Sequence, residues 1–102
     1  MISELRTYTI NKGAMDAFLE HFEKFGGPLH AAVGIKIDAT WVNRDRSEFI
    51  WIRSFEDEDD RTAKVKAFQD ERAKRGIVLG DNIAKMEVKE IEPAVLKAMT
   101  LA

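Results

Sequence analysis

Cysteine is absent from this chain of 102 residues, and neither sign of charge predominates. Without cysteine, a disulfide framework, a thiolate zinc site and a cysteine nucleophile are all excluded. The 16 basic residues nearly balance the 18 acidic ones, which leaves a net charge of -2. A charge this small creates no overall field that would attract nucleic acid or an anionic membrane. We therefore expect neither of these as a partner.

Long apolar runs and the common cofactor and catalytic motifs are missing as well. No apolar segment approaches the length of about 18 residues that a membrane span requires, and the N-terminal stretch MISELRTYTI does not look like a signal peptide. We accordingly expect a cytoplasmic protein. No GxGxxG, P-loop, HExxH or GxSxG pattern occurs, so nucleotide binding, zinc-protease chemistry and serine hydrolysis have no support. The sequence predicts no cofactor and no metal site.

The first third of the chain shows two clear hydrophobic periodicities. The alternation from Ile2 to Ile10 predicts a strand. From Ala14 onward, apolar residues recur at helical spacing and predict a first helix. Glycine favours the end of a helix and proline cannot continue one, so Gly26-Gly27-Pro28 should stop it. A further short helical turn is expected from Leu29 to Val33.

The rest of the chain continues with a hairpin, a helix and a strand. Two β-rich runs within Gly34 to Asp57 flank the polar turn Asn43 to Ser47, which is typical of an antiparallel hairpin. The five acidic residues at 56–60 should lie at the positive N-terminal end of a second helix, with one of them as its cap. That helix is expected from about Glu58 to Lys74, and a last strand from Ala84 to Ile91.

The order strand, helix, strand, strand, helix, strand predicts a ferredoxin-like βαββαβ fold of the α+β class. In this plan a four-stranded antiparallel sheet carries two helices on one face. We expect a single domain that covers residues 1–102, with a small core.

Both faces of the central strand are apolar, which predicts a second copy of the chain. From Glu48 to Phe55 one parity carries aromatic residues and the other carries isoleucines, and two helices cannot cover both faces. We expect the uncovered face to include Trp51, Phe49 and Trp41, a patch larger than monomers usually leave in water. A homodimer is the simplest cover, and higher assemblies stay open. The apolar tail Ala94 to Ala102 should pack on a neighbour or fray.

Several stretches together resemble the NIPSNAP family. They are ELRTYTI, a Lys-Gly step into a helix, Pro28, VGIKIDATW, and SEFIWIRSFED with Arg61 after it. The resemblance spans roughly Ser3 to Phe68. It implies a subunit of the dimeric α/β-barrel superfamily, whose sheet packs against that of its twin and encloses a cavity. The wider superfamily includes cofactor-free monooxygenases, isomerases and haem enzymes, whereas NIPSNAP members mostly lack an assigned reaction.

A cavity between two sheets would be lined by one face of each strand, and aromatic area with a few polar groups suits a small molecule. The candidates for ligand binding are Arg6, Trp41 and Trp51, and the candidates for catalysis are His30, Arg53 and Tyr8.

Each catalytic candidate has a specific role and a structural alternative. The guanidinium of Arg53 could bind a carboxylate, carbonyl or enolate, but it or Arg6 could instead pair with Glu4 or with a carboxylate of the partner chain and stabilise the dimer. The hydroxyl of Tyr8 could donate to a bound oxygen or simply lie in the core. At the mouth of the cavity, His30 could serve as a general base.

Two functions follow from these residues. The first is a small-molecule enzyme or binding protein, whose reaction would be a cofactor-independent oxygenation or an isomerisation of an aromatic or enolisable compound. The second is a non-catalytic structural or protein-interaction module whose dimer core is filled with side chains.

Overall fold

The computed structural model describes residues 1–96, and residues 97–102 of the apolar tail lie outside the described part. Four strands are present: β1 (Ile2–Ile10), β2 (Lys36–Val42), β3 (Glu48–Phe55) and β4 (Ile83–Ile91). The helices are α1 (Met15–His21), α2 (Gly27–Ala32) and α3 (Glu58–Arg75), with a π-helical turn at Phe22–Gly26. None of these helices is both long enough and apolar enough to cross a membrane.

The four strands form one antiparallel sheet in the order β2-β3-β1-β4. This order and the sequence of elements confirm the predicted ferredoxin-like α+β fold. The hairpin turn also lies where it was predicted, because Asn43 ends the ladder and its side-chain oxygen accepts from the backbone amides of Ser47 and Glu48.

The first helical segment does not end at Gly26-Gly27-Pro28, which corrects the sequence-based expectation. Helical backbone continues through the π turn into α2, which includes the turn expected from Leu29 onward. The amide of Gly27 donates to the carbonyl of Phe22, five residues back. Proline is tolerated in the first turn of a helix, where its missing amide has no partner to lose. The wider π turn thus lets the chain pass a proline without leaving the helix.

Helix α3 begins and ends where its terminal residues predict. The side chain of Asp57 accepts from the amide of Asp60 as the N-cap, and Gly76 adopts the left-handed conformation at the C-cap. Glu58, Asp59 and Asp60 fill the first turn, which confirms the interpretation of the acidic run as a helix start.

The aromatic face of β3 lies under the protein's own helices, which overturns the predicted face assignment. Phe49 and Trp51 are each 2% exposed in the single chain and pack in one cluster with Phe18 of α1. Trp41 is 51% exposed and lies on the opposite face, because it pairs with Ile50 whereas Trp51 pairs with Thr40. Placing the helices on the aromatic face removes more apolar area from water than covering the isoleucine face would.

Candidate functional site

A cavity of about 250 Å³ lies between the sheet and the helices of the single chain. Strands β1 and β3 supply its floor, the π turn and α2 supply one wall, and α3 with the loop before β4 supplies the other. Its lining includes Arg6, Tyr8, Phe22, His30, Trp51, Arg53, Phe68, Gln69, Arg72, Leu79, Asp81 and Met86.

Five of the six residues selected from the sequence line this cavity: Arg6, Tyr8, His30, Trp51 and Arg53. They meet because β1 and β3 are neighbours, with Arg6 directly opposite Trp51 and Tyr8 directly opposite Phe49. Trp41 is absent from the lining, since its side chain lies on the other face of the sheet. The cavity is therefore enclosed within one chain, and not between two sheets as the sequence suggested.

Glu4 is the centre of the polar side of the site. Its carboxylate is 2% exposed and accepts from three arginines: Arg6 Nη1 at 2.7 Å, Arg53 Nε at 2.6 Å and Arg61 Nε at 2.7 Å. Burial alone would raise the pKa of Glu4, but the hydrogen bonds and charge of Arg53, with the bonds from Arg6 and Arg61, lower it. Glu4 is thus ionised at neutral pH, and the internal pairing foreseen for Arg6 and Arg53 is confirmed.

His30 is fixed in one protonation state by its two neighbours. Its Nδ1 lies 2.7 Å from the carbonyl oxygen of Gly26, and its Nε2 lies 3.1 Å from Arg53 Nη1. A carbonyl can only accept and a guanidinium can only donate, so Nδ1 carries the proton and Nε2 accepts. Burial, with the positive charges of Arg53 and Arg6, lowers the pKa of His30 from 6.5 to about 4, although the hydrogen bond to Gly26 acts in the opposite direction.

This position corrects the expectation that His30 stands at the mouth of the cavity. The ring is 3% exposed and packs between Trp51, at 5.2 Å, and Phe68, at 4.5 Å between ring centroids. Both nitrogen atoms are engaged, so no lone pair is free to take a proton from a substrate. In this arrangement His30 links the carbonyl of Gly26 to the guanidinium of Arg53.

Two aromatic side chains of the lining each carry a hydrogen-bond donor that has no acceptor within residues 1–96. The indole Nε1 of Trp51 is buried there without a partner. The hydroxyl oxygen of Tyr8 accepts from Arg6 Nε at 3.0 Å, which leaves its own proton for another acceptor. The two rings lie 5.9 Å apart in an edge-to-face arrangement, so the two donors belong to one corner of the site.

Sequence reasoning missed several polar residues near the cavity. Nε2 of His21 lies 2.8 Å from the carbonyl oxygen of Val78, and His21 also lines the cavity. Gln69, Arg72 and Asp81 line it as well. These three residues come from α3 and from the loop before β4, and the hydrophobic periodicity of the sequence does not relate such positions to the strands. Within the part of the chain that the structure describes, no cluster of histidine and acidic side chains could hold a metal ion.

The fold and the site together define a ferredoxin-like domain with a buried Glu–Arg cluster beside an aromatic cavity. The NIPSNAP family profile matches residues 3–98, and the chain belongs to this family. No curated protein matches the sequence significantly.

Solved structures share the fold. A NIPSNAP family protein with unknown function from Agrobacterium tumefaciens superposes with a TM-score of 0.80 at 24% identity, over 92% of this chain and 88% of that one. An uncharacterised NIPSNAP domain protein from Burkholderia xenovorans gives 0.74 at 17% identity, over 97% and 100%. A Bordetella bronchiseptica protein provisionally named an antibiotic biosynthesis monooxygenase gives 0.69 at 15% identity, over 92% and 97%. At these identities the similarity establishes the fold alone.

Proposed function

We propose that the protein binds a small planar molecule with an oxygen acceptor in the cavity between its sheet and its helices. The observation that carries this proposal is the buried indole N–H of Trp51, which has no partner among residues 1–96. A buried donor without an acceptor costs about 1–3 kcal/mol, and a ligand oxygen would recover that energy.

The walls of the cavity suit a flat ring. Phe22 and Trp51 approach each other edge to face at 5.2 Å, and Phe68 and Met86 add apolar surface. A ligand pocket typically combines such walls with a few polar groups that fix the orientation of the ligand. Here the hydroxyl of Tyr8 and the indole of Trp51 are those groups.

The same donors define the chemistry that the site would favour. Donors that are fixed in a buried site stabilise negative charge that develops on a bound oxygen, as in an enolate or phenolate. Cofactor-independent oxygenation or isomerisation of an aromatic or enolisable compound passes through such a charge. The name of the Bordetella bronchiseptica neighbour falls in this reaction class. Both ring nitrogens of His30 are hydrogen-bonded, so a water molecule in the cavity would accept the proton that the substrate releases.

We also propose that the protein is a homodimer joined through the open face of the sheet. The register places Trp41, Ile50, Ile52 and Leu5 together on the side opposite the three helices. An apolar surface of this kind, with Trp41 half exposed, favours contact with a second copy over contact with water. In such a dimer the second copy would pack against the face of the sheet that the helices leave open. Each cavity would remain within its own chain.

Trp51 fluorescence tests the binding proposal. In a Trp41→Phe variant, Trp51 is the sole tryptophan and reports on the cavity; in Trp51→Phe, Trp41 reports on the opposite face. Titration with phenol or benzoate should change Trp51 emission saturably and leave that of Trp41 unchanged. The same probes should raise the melting temperature of the Trp41→Phe variant. A cavity that serves only as structure predicts no saturable change and no stabilisation with any ring compound.

A further inference from the structure

The most buried part of the polar cluster beside the cavity has more positive than negative charge. Arg6 and Arg53 each donate to the carboxylate of Glu4, so these three side chains bring together two positive charges and one negative charge. His30 contributes none, because its contacts fix the neutral ring. Arg61 also reaches Glu4 and pairs with Glu58 and Glu90, which balances the charge of the whole network, but these two carboxylates are 66% and 65% exposed and do not line the cavity. An excess charge in a buried site is costly until an opposite charge joins it.

Arg6 lies where that opposite charge would enter. Its guanidinium carbon is 5.6 Å from the ring centroid of Tyr8 and 5.6 Å from that of Trp51. The guanidinium therefore lies beside both aromatic rings whose donors have no acceptor within residues 1–96. It uses Nη1 for Glu4 and Nε for the hydroxyl of Tyr8, and no hydrogen bond within residues 1–96 uses its Nη2.

We infer that the ligand of this cavity is an anion, a planar carboxylate or an enolate-like oxygen, and that Arg6 binds its charged oxygen. The inference rests on the proposed function and adds the charge of the ligand and the residue that selects it. Arg6 would donate from Nη2, with the hydroxyl of Tyr8 as the second donor. Glu4 is then a positioning residue, since it holds Arg6 in place without touching the ligand.

Arg61 provides a matched control for Arg6. Both arginines donate to the same carboxylate, so replacing either one removes one hydrogen bond from Glu4. Arg6 lines the cavity and also the neighbouring groove between α3 and the sheet, whereas Arg61 lines the groove and not the cavity. A change in ligand selectivity that appears in Arg6→Gln and not in Arg61→Gln would therefore come from the cavity and not from the cluster as a whole.

The experiment compares benzoate with benzamide, which have the same ring and nearly the same size but differ in charge. Dissociation constants are measured by Trp51 fluorescence in the Trp41→Phe background. We expect benzoate to bind about tenfold or more tightly than benzamide. Arg6→Gln should bring the ratio of the two constants close to one, and Arg61→Gln should leave the ratio as it is in the parent.

Each outcome separates this inference from the proposed function. If both probes bind equally well to the parent, the cavity binds ligands but does not select an anion, and the inference is wrong. It is equally wrong if Arg6→Gln keeps the preference for benzoate or if Arg61→Gln loses as much. If neither probe binds, the proposed function fails and the inference fails with it. The two probes are compared first in Trp41→Phe itself, with Arg6 unchanged. The inference can therefore be tested even if Arg6→Gln folds poorly.

Discussion

Arg53 Nη1 donates a hydrogen bond to His30 Nε2 across 3.1 Å, and this contact sets the protonation state of the histidine. A second proton on the ring would place an N–H against an N–H and a positive charge against a positive charge. The neutral ring, in contrast, links the carbonyl of Gly26 to the Glu4 cluster through two good hydrogen bonds. The helical wall of the cavity is thereby joined to its polar floor.

The first prediction concerns acid stability. The folded state holds His30 neutral down to a pKa of about 4, whereas the unfolded chain takes up the proton near 6.5. Since the unfolded state binds more protons between these values, the free energy of unfolding should fall as pH decreases from 6.5 to 4. At roughly 1.4 kcal/mol per pH unit, the loss over this window is about 3 kcal/mol. Glu4, whose pKa is lowered, adds a further loss below 4.5.

Urea denaturation at a series of pH values from 7 to 4 measures this dependence. His30→Gln removes the titrating ring and should flatten the profile between pH 6.5 and 4, whatever its effect on stability at pH 7. His21→Gln is the matched control, because His21 is only part-buried and hydrogen-bonded to a loop carbonyl. Equal slopes in the parent and in His30→Gln would show that His30 is not the group responsible.

Parity along the strands was readable from the sequence, but the choice of face was not. The alternation correctly grouped Glu4, Arg6 and Tyr8 on one side of β1, and Trp51 and Arg53 on one side of β3. Which side the helices cover depends on the difference in apolar area between two faces that are both apolar, and periodicity carries no such information. The five residues therefore line one cavity, but the sequence placed them on the wrong side of the sheet.

The position of His30 was unpredictable for a different reason. Glycine and proline usually end a helix, so the sequence placed this residue in a turn beyond the first helix. A π turn instead carries the helical path through Gly26 and Gly27, which brings His30 inward over Trp51. Such turns arise from packing against the sheet, a tertiary effect that local sequence signals do not encode.

The second prediction concerns the carboxylate at the centre of the cluster. Glu4→Gln would leave Arg6 and Arg53 with positive charges that no longer face a carboxylate, and breaking a buried ion pair typically costs about 3–5 kcal/mol. We expect a loss of unfolding free energy in that range, measured by denaturation at neutral pH. Glu90→Gln also removes a partner of an arginine, but its side chain is 65% exposed, so it should cost about 1 kcal/mol or less. Similar losses in both variants would contradict a central role for Glu4.

The third prediction compares two adjacent glycines. A Cβ at Gly26 would lie 3.0 Å from Cδ2 of Phe22 in the cavity wall, whereas one at Gly27 would meet only the carbonyl oxygen of Phe22, at 3.6 Å. Both residues have right-handed helical dihedrals that alanine also adopts. Because alanine loses less backbone entropy on folding than glycine, the substitution alone should stabilise the folded state by about 0.5–1 kcal/mol at either position. Gly27→Ala should therefore be neutral or stabilising, and Gly26→Ala should be less stable than Gly27→Ala and should shift Trp51 emission. Equal melting temperatures and emission spectra would show that the wall accommodates the methyl group.

The last prediction concerns the open face of the sheet. A charge at Trp41 would lie beside Ile50, its partner across β2 and β3, and would be buried without a counter-ion if a second copy packs there. Sedimentation at micromolar concentration should show a dimer for the parent and a folded monomer for Trp41→Glu, since this side chain is already half exposed in the single chain.

Val78→Glu changes an exposed apolar residue in the loop before β4 and should sediment like the parent. Trp51→Glu is not an equivalent test, because it would bury a carboxylate in the core of the single chain and unfold it. A parent protein that sediments as a monomer would leave the patch in water and would rule out the homodimer.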